Sequence, residues 1–241
     1  MRFYILISFI LIALSANCQS KNPYADTLII EGRELLNGNN ITEAKLKFKE
    51  AFDLERNPQT VTEYVQVLIK EQNFKEAYKI AFECQQNNPD EPVYSMIKGN
   101  VHSVKGEYRE AIKELNKSIK LNPTKDQEKY YLYRAVAYEK NKDFDDALND
   151  YKKSLDINPN QPEVYYYYGA LNYRQENFNV AIDNLNKAIQ YGYTNQYVYF
   201  ARGMSYLGTK ENVNACKDFR VACKDGNLDA CKMIILHCTK K

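Results

Sequence analysis

The sequence predicts an all-α fold, a solenoid of six helix-turn-helix repeats followed by a C-terminal capping helix. The main observation is that alanines recur at intervals of 33 to 36 residues. A helical hairpin of this length cannot bury its apolar stripe alone, so it stacks on its neighbours. The low content of glycine and proline, 9 and 7 residues, argues against an all-β protein with many tight turns. The recurring residues are Ala44, Ala77, Ala111, Ala147, Ala181 and Ala215.

Other residue classes keep a fixed distance from these alanines. Twelve residues before each alanine nearly every residue is small, and seven residues after it every residue is small. Offsets of three, four and seven lie on one helical face, so the small residues let two antiparallel helices approach closely. Proline disfavours helix in the residue before it, so Asn-Pro pairs separate several units. These pairs begin at Asn88, Asn122 and Asn158.

The same positions resemble the tetratricopeptide repeat, which places a small residue, a Tyr three residues later, then Ala-x3-Phe and a closing Pro. Tyrosines stand where that family has Trp. The resemblance covers about residues 25–225 and implies a right-handed superhelix. It also implies that the first helix of each unit lines a concave groove that binds extended peptides or helices. The sixth unit matches the pattern with Gly203, Tyr206, Ala215 and Phe219.

Residues sixteen apart within each predicted hairpin have matching chemistry. In four units the residue just before the small position of the first helix is charged, and the residue sixteen positions later, in the second helix, has the opposite charge. The first helix carries the acidic residue in the first unit and the basic residue in the other three. We predict that these residues face each other, whereas unrelated solvated charges are the alternative. Exposed pairs of this kind add at most about 1 kcal/mol each. The charged pairs are Glu31/Lys47, Lys98/Glu114, Arg134/Asp150 and Arg202/Asp218.

The composition of residues 1–17 predicts a secretory signal peptide. Arg2 precedes an apolar run from Phe3 to Leu14, which is shorter than the roughly 20 residues of a permanent membrane-spanning helix. A buried N-terminal helix is the alternative. We therefore expect an exported protein, in the periplasm or at the outer-membrane surface, with residues 18–24 as a short tether.

Cys18 raises the question of a lipid anchor. The residues before it resemble a bacterial lipoprotein cleavage site, after which the new N-terminal cysteine is acylated and tethers the protein to a membrane. Asn17 and Ser15 depart from that pattern. Ordinary cleavage after Ala16 or Ser20 is the competing interpretation.

Residues 226–241 predict a capping helix that disulfides join to the sixth unit, with Gly226 as the end of the preceding helix and Asn227 as the start of the next. Cys216 and Cys223 are seven residues apart, as are Cys231 and Cys238. Residues at one level of an antiparallel hairpin have a constant sum of residue numbers, which pairs Cys216 with Cys238 and Cys223 with Cys231. Zinc and reduced thiols are alternatives, but seven residues rise about 10.5 Å, too far for four thiolates around one metal. Disulfides persist in exported proteins.

The sequence gives little support for an enzyme. We find no nucleophile, metal-binding or nucleotide-binding motif. His102 occupies a core position, His237 lies near the end of the capping helix, and Cys84 is expected to be a buried thiol. Because the net charge is +2 without a basic run, nucleic acid is not an expected partner. No cofactor or metal is expected either.

The resemblance assigns the partner-binding residues to the first helices of the fourth, fifth and sixth units. Residues 165–168 are all Tyr and sweep about 300° of a helix, so they cannot all be core. We assign Tyr165 and Tyr168 inward and Tyr166 to the groove. The alternative is that the groove residues pack only against one another or the cap. The assigned residues are Lys129, Leu132, Val136, Lys140, Tyr166, Tyr173, Arg174, Tyr197, Phe200 and Met204.

These observations favour a non-enzymatic scaffold of the cell envelope, which binds a segment of another protein in the groove of its C-terminal repeats. Exposed aromatic and apolar side chains usually mark such recognition sites. The alternative function is a glycan-binding or cell-wall-binding module, because the faces of tyrosine rings also stack on sugars.

Overall fold

The computed structural model describes residues 22–121 and 127–238. The predicted signal peptide, Cys18 and most of the tether lie outside these residues. The described part contains thirteen α-helices and no strand, and none of these helices is both long and apolar enough to cross a membrane. The helices are α1 Pro23–Asn37, α2 Ile41–Leu54, α3 Pro58–Lys70, α4 Phe74–Asn87, α5 Pro92–Val104, α6 Tyr108–Leu121, α7 Glu128–Asn141, α8 Phe144–Ile157, α9 Pro162–Arg174, α10 Phe178–Gln190, α11 Gln196–Gly208, α12 Asn212–Lys224 and α13 Leu228–His237.

The chain forms two compact units, which divide within α3 after Tyr64. In the first unit α1 packs on α2 as a hairpin. The ring of Phe52 lies 5.4 Å from that of Tyr64, and Arg33 forms an ion pair with Glu63.

The second unit repeats the hairpin four times, as α5 with α6, α7 with α8, α9 with α10 and α11 with α12. The second helix of each hairpin also packs on the first helix of the next. In addition, α5 contacts α7 and α9 contacts α11, so first helices lie beside one another. This is the all-α repeat solenoid that the recurring alanines predict.

Five of the six hairpins close through a small residue of the first helix and a large residue of the second, whereas the second unit has Val65 and Ala81 at these positions. A Cβ added to Gly203 would lie 2.7 Å from Cε1 of Phe219, and one added to Gly169 would lie 2.8 Å from Cγ of Leu185. Phe219 and Leu185 are fully buried. The small residues twelve positions before the alanines are therefore required by contact with the second helix.

The turn inside each hairpin places one residue in the left-handed region, five positions before the alanine. Its φ lies between 59° and 80°. The next residue donates its N–H back across the helix end, as Asn177 does to the carbonyl of Asn172 at 2.9 Å. Residue type does not predict this conformation here, because only one of the six residues is a glycine. The residues are Asn39, Gln72, Gly106, Lys142, Glu176 and Lys210.

Side-chain caps begin several helices, and two of these caps bear on the predicted boundaries. The Oδ1 of Asn22 accepts from the N–H of Tyr24 at 3.1 Å, and Pro23 suits the first helical position. Helix α1 therefore begins inside the segment that the sequence assigned to the tether. At the other end, Oδ1 of Asn227 accepts from the N–H of Ala230 at 2.9 Å and starts α13, as predicted.

Two disulfides join α12 to α13. Cys216 pairs with Cys238, with Cα atoms 5.7 Å apart, and Cys223 pairs with Cys231, with Cα atoms 4.9 Å apart. These are the pairs indicated by the constant sum of residue numbers. Cys84 is buried on α4 and belongs to neither disulfide.

The cysteines stand at positions that carry large side chains in α10 and α11. Counted from the starts of the helices, Cys216 and Cys223 take the places of Ile182 and Ile189, and Cys231 and Cys238 take those of Tyr199 and Tyr206. Helix α13 packs on α12 as α11 packs on α10. Helix α13 is in effect the first helix of a seventh unit, attached covalently.

Gly203→Val is expected to destabilise the fold, because the added methyl groups collide with the buried ring of Phe219. Overpacking of this kind costs about 1–3 kcal/mol. Gly38→Val is the matched control, since a Cβ at Gly38 has its nearest neighbour at 3.5 Å and φ there is −78°. Denaturant unfolding followed by circular dichroism measures both. Equal stability of the two variants would contradict the close-approach account.

Candidate functional site

The residues assigned to the groove lie on α7, α9 and α11, and we call the surface that they form the first-helix face. Four of these residues are exposed: Lys129, Lys140, Arg174 and Tyr197. The other six are partly buried: Leu132, Val136, Tyr166, Tyr173, Phe200 and Met204. The first-helix face therefore combines exposed polar and aromatic groups with side chains that also serve the core.

Tyr166 belongs to a chain of stacked rings rather than standing apart in the groove. Its ring centroid lies 5.0 Å from that of Tyr193 and 5.5 Å from that of Tyr167, and Tyr167 lies 6.2 Å from Tyr151. We call these four residues the tyrosine cluster. Burial, and then the neighbouring Tyr193, raise the pKa of Tyr166, so its phenol stays protonated near neutral pH.

The sequence analysis did not predict a role for Tyr193, because this residue lies in the turn between α10 and α11 and the repeat comparison considered only positions within helices. It follows Gly192, whose φ is +97°. The N–H of Tyr193 donates to the carbonyl of Ala188 at 2.9 Å, which fixes the turn and holds the ring against Tyr166. The turn between α10 and α11 thus contributes to the first-helix face.

Arg174 does not offer an uncompensated charge to a partner. Its Nη2 donates to Oε1 of Glu139 on α7, and the guanidinium also lies 5.9 Å from the ring of Phe144. The other oxygen of Glu139 accepts from the hydroxyl of Tyr151 at 2.8 Å. Glu139, which the sequence analysis did not single out, thus links two repeats and the tyrosine cluster.

Tyr165 and Tyr168, which were both assigned inward, differ in burial. Tyr165 is buried and stacks on Tyr191 at 5.7 Å, as expected for a core position. Tyr168 is partly buried. Tyr167, to which the sequence assigned no role, donates its hydroxyl to Oε1 of Glu163 at 2.8 Å.

Phe200 and Met204 pack against the core of the last repeat. The ring of Phe200 lies 6.1 Å from that of Phe219, and Met204 contacts the same cluster. Leu132 and Val136 pack against the central core in the same way. Self-packing thus accounts for part of the first-helix face, whereas Tyr197 keeps 56% of its surface exposed.

The predicted charge pairs form, and they extend further than the sequence indicated. Arg134 donates from Nε to Oδ2 of Asp150 at 2.6 Å, and from Nη1 to Oδ1 of Asn116 on α6 at 2.6 Å. Arg202 makes the same contacts with Asp218, at 2.7 Å, and with Asn186 on α10, at 2.7 Å. Each guanidinium therefore joins three helices from two consecutive repeats.

The third unit replaces arginine with lysine. Lys98 donates to Oε1 of Glu114 at 2.7 Å and to Oε1 of Gln85 on α4 at 3.1 Å. Although burial opposes it, hydrogen bonds from Lys98 and Gln85 hold the pKa of Glu114 below its usual value. In the first unit Lys47 pairs with Glu31 at 2.7 Å, with the reversed sign that the sequence predicted.

Other chemistry-bearing groups have structural surroundings. Nδ1 of His102 lies 2.6 Å from Oε2 of Glu107, and its ring meets that of Tyr78 edge-on at 5.2 Å. Within residues 22–121 and 127–238, no three His, Cys, Asp or Glu side chains are arranged to hold a metal ion.

Two segments of the chain match the tetratricopeptide-repeat family. The matches cover residues 94–125 and residues 128–161, which correspond to the third and fourth repeats. No curated protein matches the sequence. Together with the stacked hairpins, these matches show that the fold is an all-α repeat solenoid. The chain therefore contains tetratricopeptide repeats, at residues 94–125 and 128–161.

Solved structures agree with this fold. One chain of the APC/C hetero-tetramer Cut9-Hcn1 is similar over 90% of this chain, with a TM-score of 0.74 and 16% identity, and this chain spans 43% of its length. PilF of Pseudomonas aeruginosa is similar over 88% of this chain and 97% of its own, with a TM-score of 0.70 and 17% identity. YrrB, described as a TPR protein with an unusual peptide-binding site, is similar over 80% of this chain and 98% of its own, with a TM-score of 0.59 and 15% identity.

The Arg134–Asp150 pair is expected to be strongly coupled, because the carboxylate side chain is 2% exposed and the guanidinium 14%. Asp150→Ala leaves a buried cation unpaired, which costs about 3 kcal/mol of unfolding free energy. The double variant Asp150→Ala with Arg134→Ala should lose less unfolding free energy than the sum of the two single variants, by at least about 1 kcal/mol. The exposed Lys49–Asp53 pair is the control and should show a coupling of about 0.5 kcal/mol or less. Additive effects at Arg134 and Asp150 would contradict the buried link.

Proposed function

We propose that this protein is a non-enzymatic scaffold that binds a segment of another protein on its first-helix face. Tetratricopeptide-repeat proteins in general act as scaffolds for protein–protein interaction. The finer assignment, to α9 and α11 with a contribution from α7, is specific to this chain. It rests on the one observation described next.

That observation is the exposed edge of the tyrosine cluster. Tyr197 is mostly exposed at the start of α11, and Tyr166 and Tyr193 beside it are partly exposed. Tyrosine offers a large rigid apolar ring with a polar tip and has few rotatable bonds, so it binds at low entropic cost. Aromatic side chains held by stacking are preorganised for a partner.

The polar groups around the cluster favour a protein segment. Lys129 and Lys140 remain exposed on α7 and can donate to carbonyl or carboxylate groups of a bound chain. By contrast, the hydroxyls of Tyr151 and Tyr167 are occupied by Glu139 and Glu163. A sugar-binding face needs several uncommitted hydrogen-bonding groups around its aromatic rings, so glycan binding is the less favoured function.

We place this activity in the cell envelope as part of the proposal. The support is the sequence of residues 1–18, with its apolar run and the cysteine at its end, together with the two disulfides of the C-terminal hairpin. Disulfides of this kind persist in oxidising compartments such as the periplasm. Acylation at Cys18 would tether the scaffold to a membrane.

Tyr197→Ala is expected to lower the recovery of the bound protein from an envelope extract by about tenfold or more, as truncation of a central aromatic anchor does. Its helical circular dichroism should not change, because the side chain is mostly exposed. The measurement is quantitative pull-down with the full chain as bait.

Tyr191→Ala is the matched control, since Tyr191 is 45% exposed but stacks on Tyr165, and neither residue belongs to the tyrosine cluster. It should leave recovery unchanged. An equal loss with both variants, or no loss with Tyr197→Ala, would contradict the proposal. Retention on purified cell wall that is lost after glycosidase treatment would favour the glycan-binding function instead.

A further inference from the structure

The C-terminal hairpin carries a second exposed surface, separate from the first-helix face. On α12 the exposed residues recur at helical spacing on the side opposite the buried Ala215 and Phe219. On α13 they recur on the side opposite the buried Ala230. We call this surface the cap face. It consists of Val213, Lys217, Arg220 and Lys224 of α12 and Leu228, Lys232, Ile235 and Leu236 of α13.

The apolar members of the cap face are unusually exposed. Leu228 is 74% exposed, Val213 72%, Ile235 69% and Leu236 59%. Earlier repeats keep the position of Val213 polar, with Asn179 in the fifth unit. An apolar group of this size on a surface otherwise rich in charge usually marks a binding surface.

Ile235 argues against a further repeat as the occupant. Cys231 takes the position of Tyr199, so Ile235 takes the position of Gly203. In five of the six units that residue is Gly or Ala, and at Gly203 and Gly169 the second helix approaches within contact distance of the place that a Cβ would take. Ile235 therefore disfavours a seventh second helix, or a second copy of the chain, packed in the manner of those five units.

The charge of this end of the chain favours an anionic occupant. Residues 212–241 contain six Lys or Arg and three Asp, although the whole chain has a net charge of only +2. Of the three carboxylates, Asp218 is buried against Arg202, and Asp229 pairs with Lys232 at 2.9 Å. Asp225 is exposed in the turn between the helices. The cap face therefore presents a net positive charge among its apolar side chains.

We propose that the cap face docks on an anionic lipid surface. Lysine is depleted from protein–protein interfaces, whereas leucine and isoleucine flanked by Lys and Arg are characteristic of helices that lie in the membrane interface. Each Lys or Arg near an anionic bilayer adds to binding, and the apolar side chains enter the headgroup region. The two disulfides hold α13 rigidly on α12, so docking requires no ordering of the helix. This inference is independent of what binds the first-helix face.

The chain contains no Trp, which allows a local test in the full-length protein. Ile235→Trp places a fluorescent reporter on the cap face, and Leu46→Trp, at a residue that is 59% exposed on α2, is the matched control. With vesicles that contain phosphatidylglycerol, the emission of Ile235→Trp should shift to shorter wavelength, and that of Leu46→Trp should not. The reporter responds to its own surroundings even if another part of the chain also binds the vesicle.

The contribution of charge is tested on the same reporter. When Lys217→Gln and Lys224→Gln are added to the Ile235→Trp variant, the lipid concentration needed for half of the emission shift should rise by about thirtyfold. The exposed pair Lys75→Gln and Lys152→Gln, on α4 and α8, should leave it unchanged. Leu236→Trp provides a second reporter should Ile235→Trp alter the circular dichroism.

Three results would overturn the proposal. The first is unchanged emission of both cap-face reporters with anionic vesicles, and the second is an equal shift with pure phosphatidylcholine vesicles. The third is a shift without vesicles that grows with protein concentration and accompanies a dimer in sedimentation, which would assign the cap face to a second copy of the chain.

Discussion

The fold depends on one steric constraint, the close approach of the two helices in each hairpin at a small residue. Gly203 on Phe219 and Gly169 on Leu185 leave no room for a side chain on the first helix. This contact sets the distance and register of the hairpin, and the register brings residues sixteen apart face to face. The buried links of Arg134 and Arg202 follow from it, and each link also reaches back to the preceding repeat. Sterics within a repeat and charge between repeats thus act together.

The same arrangement accounts for the candidate binding surface. Because second helices pack on the next first helix, the first helices lie side by side, and the turn after α10 brings Tyr193 onto Tyr166. Glu139 ties α7 to α9 through Arg174 and closes the cluster through Tyr151. The exposed part of the surface is therefore held by contacts that also stabilise the solenoid. At the C-terminal end, disulfides replace the apolar contacts between repeats, and the last helix leaves its outer side uncovered.

Sequence reasoning predicted the features that depend on a repeating position. The helical hairpins, the charge pairs and the asparagine cap of α13 all follow from fixed spacing, and the structure contains them. Sequence reasoning did not predict the features that depend on the conformation of turns or on contacts between neighbouring repeats. The left-handed residue of each hairpin turn is a lysine or glutamate as readily as a glycine, and in each turn the N–H of the next residue donates back across the helix end. Asn116, Asn186, Glu139 and Tyr193 lie outside the compared positions, so their roles emerge only from three-dimensional packing.

The most direct test of the functional account is photocrosslinking in intact cells, with a photoreactive amino acid substituted for Tyr197 or Tyr173. Both positions lie on the first-helix face, and Tyr191, which is exposed just after α10 and is not part of the cluster, is the reference position. The account predicts a discrete protein adduct at Tyr197 and Tyr173 and none at Tyr191. Adducts of equal yield at all three positions, or no adduct at the first-helix face of a folded chain, would contradict it.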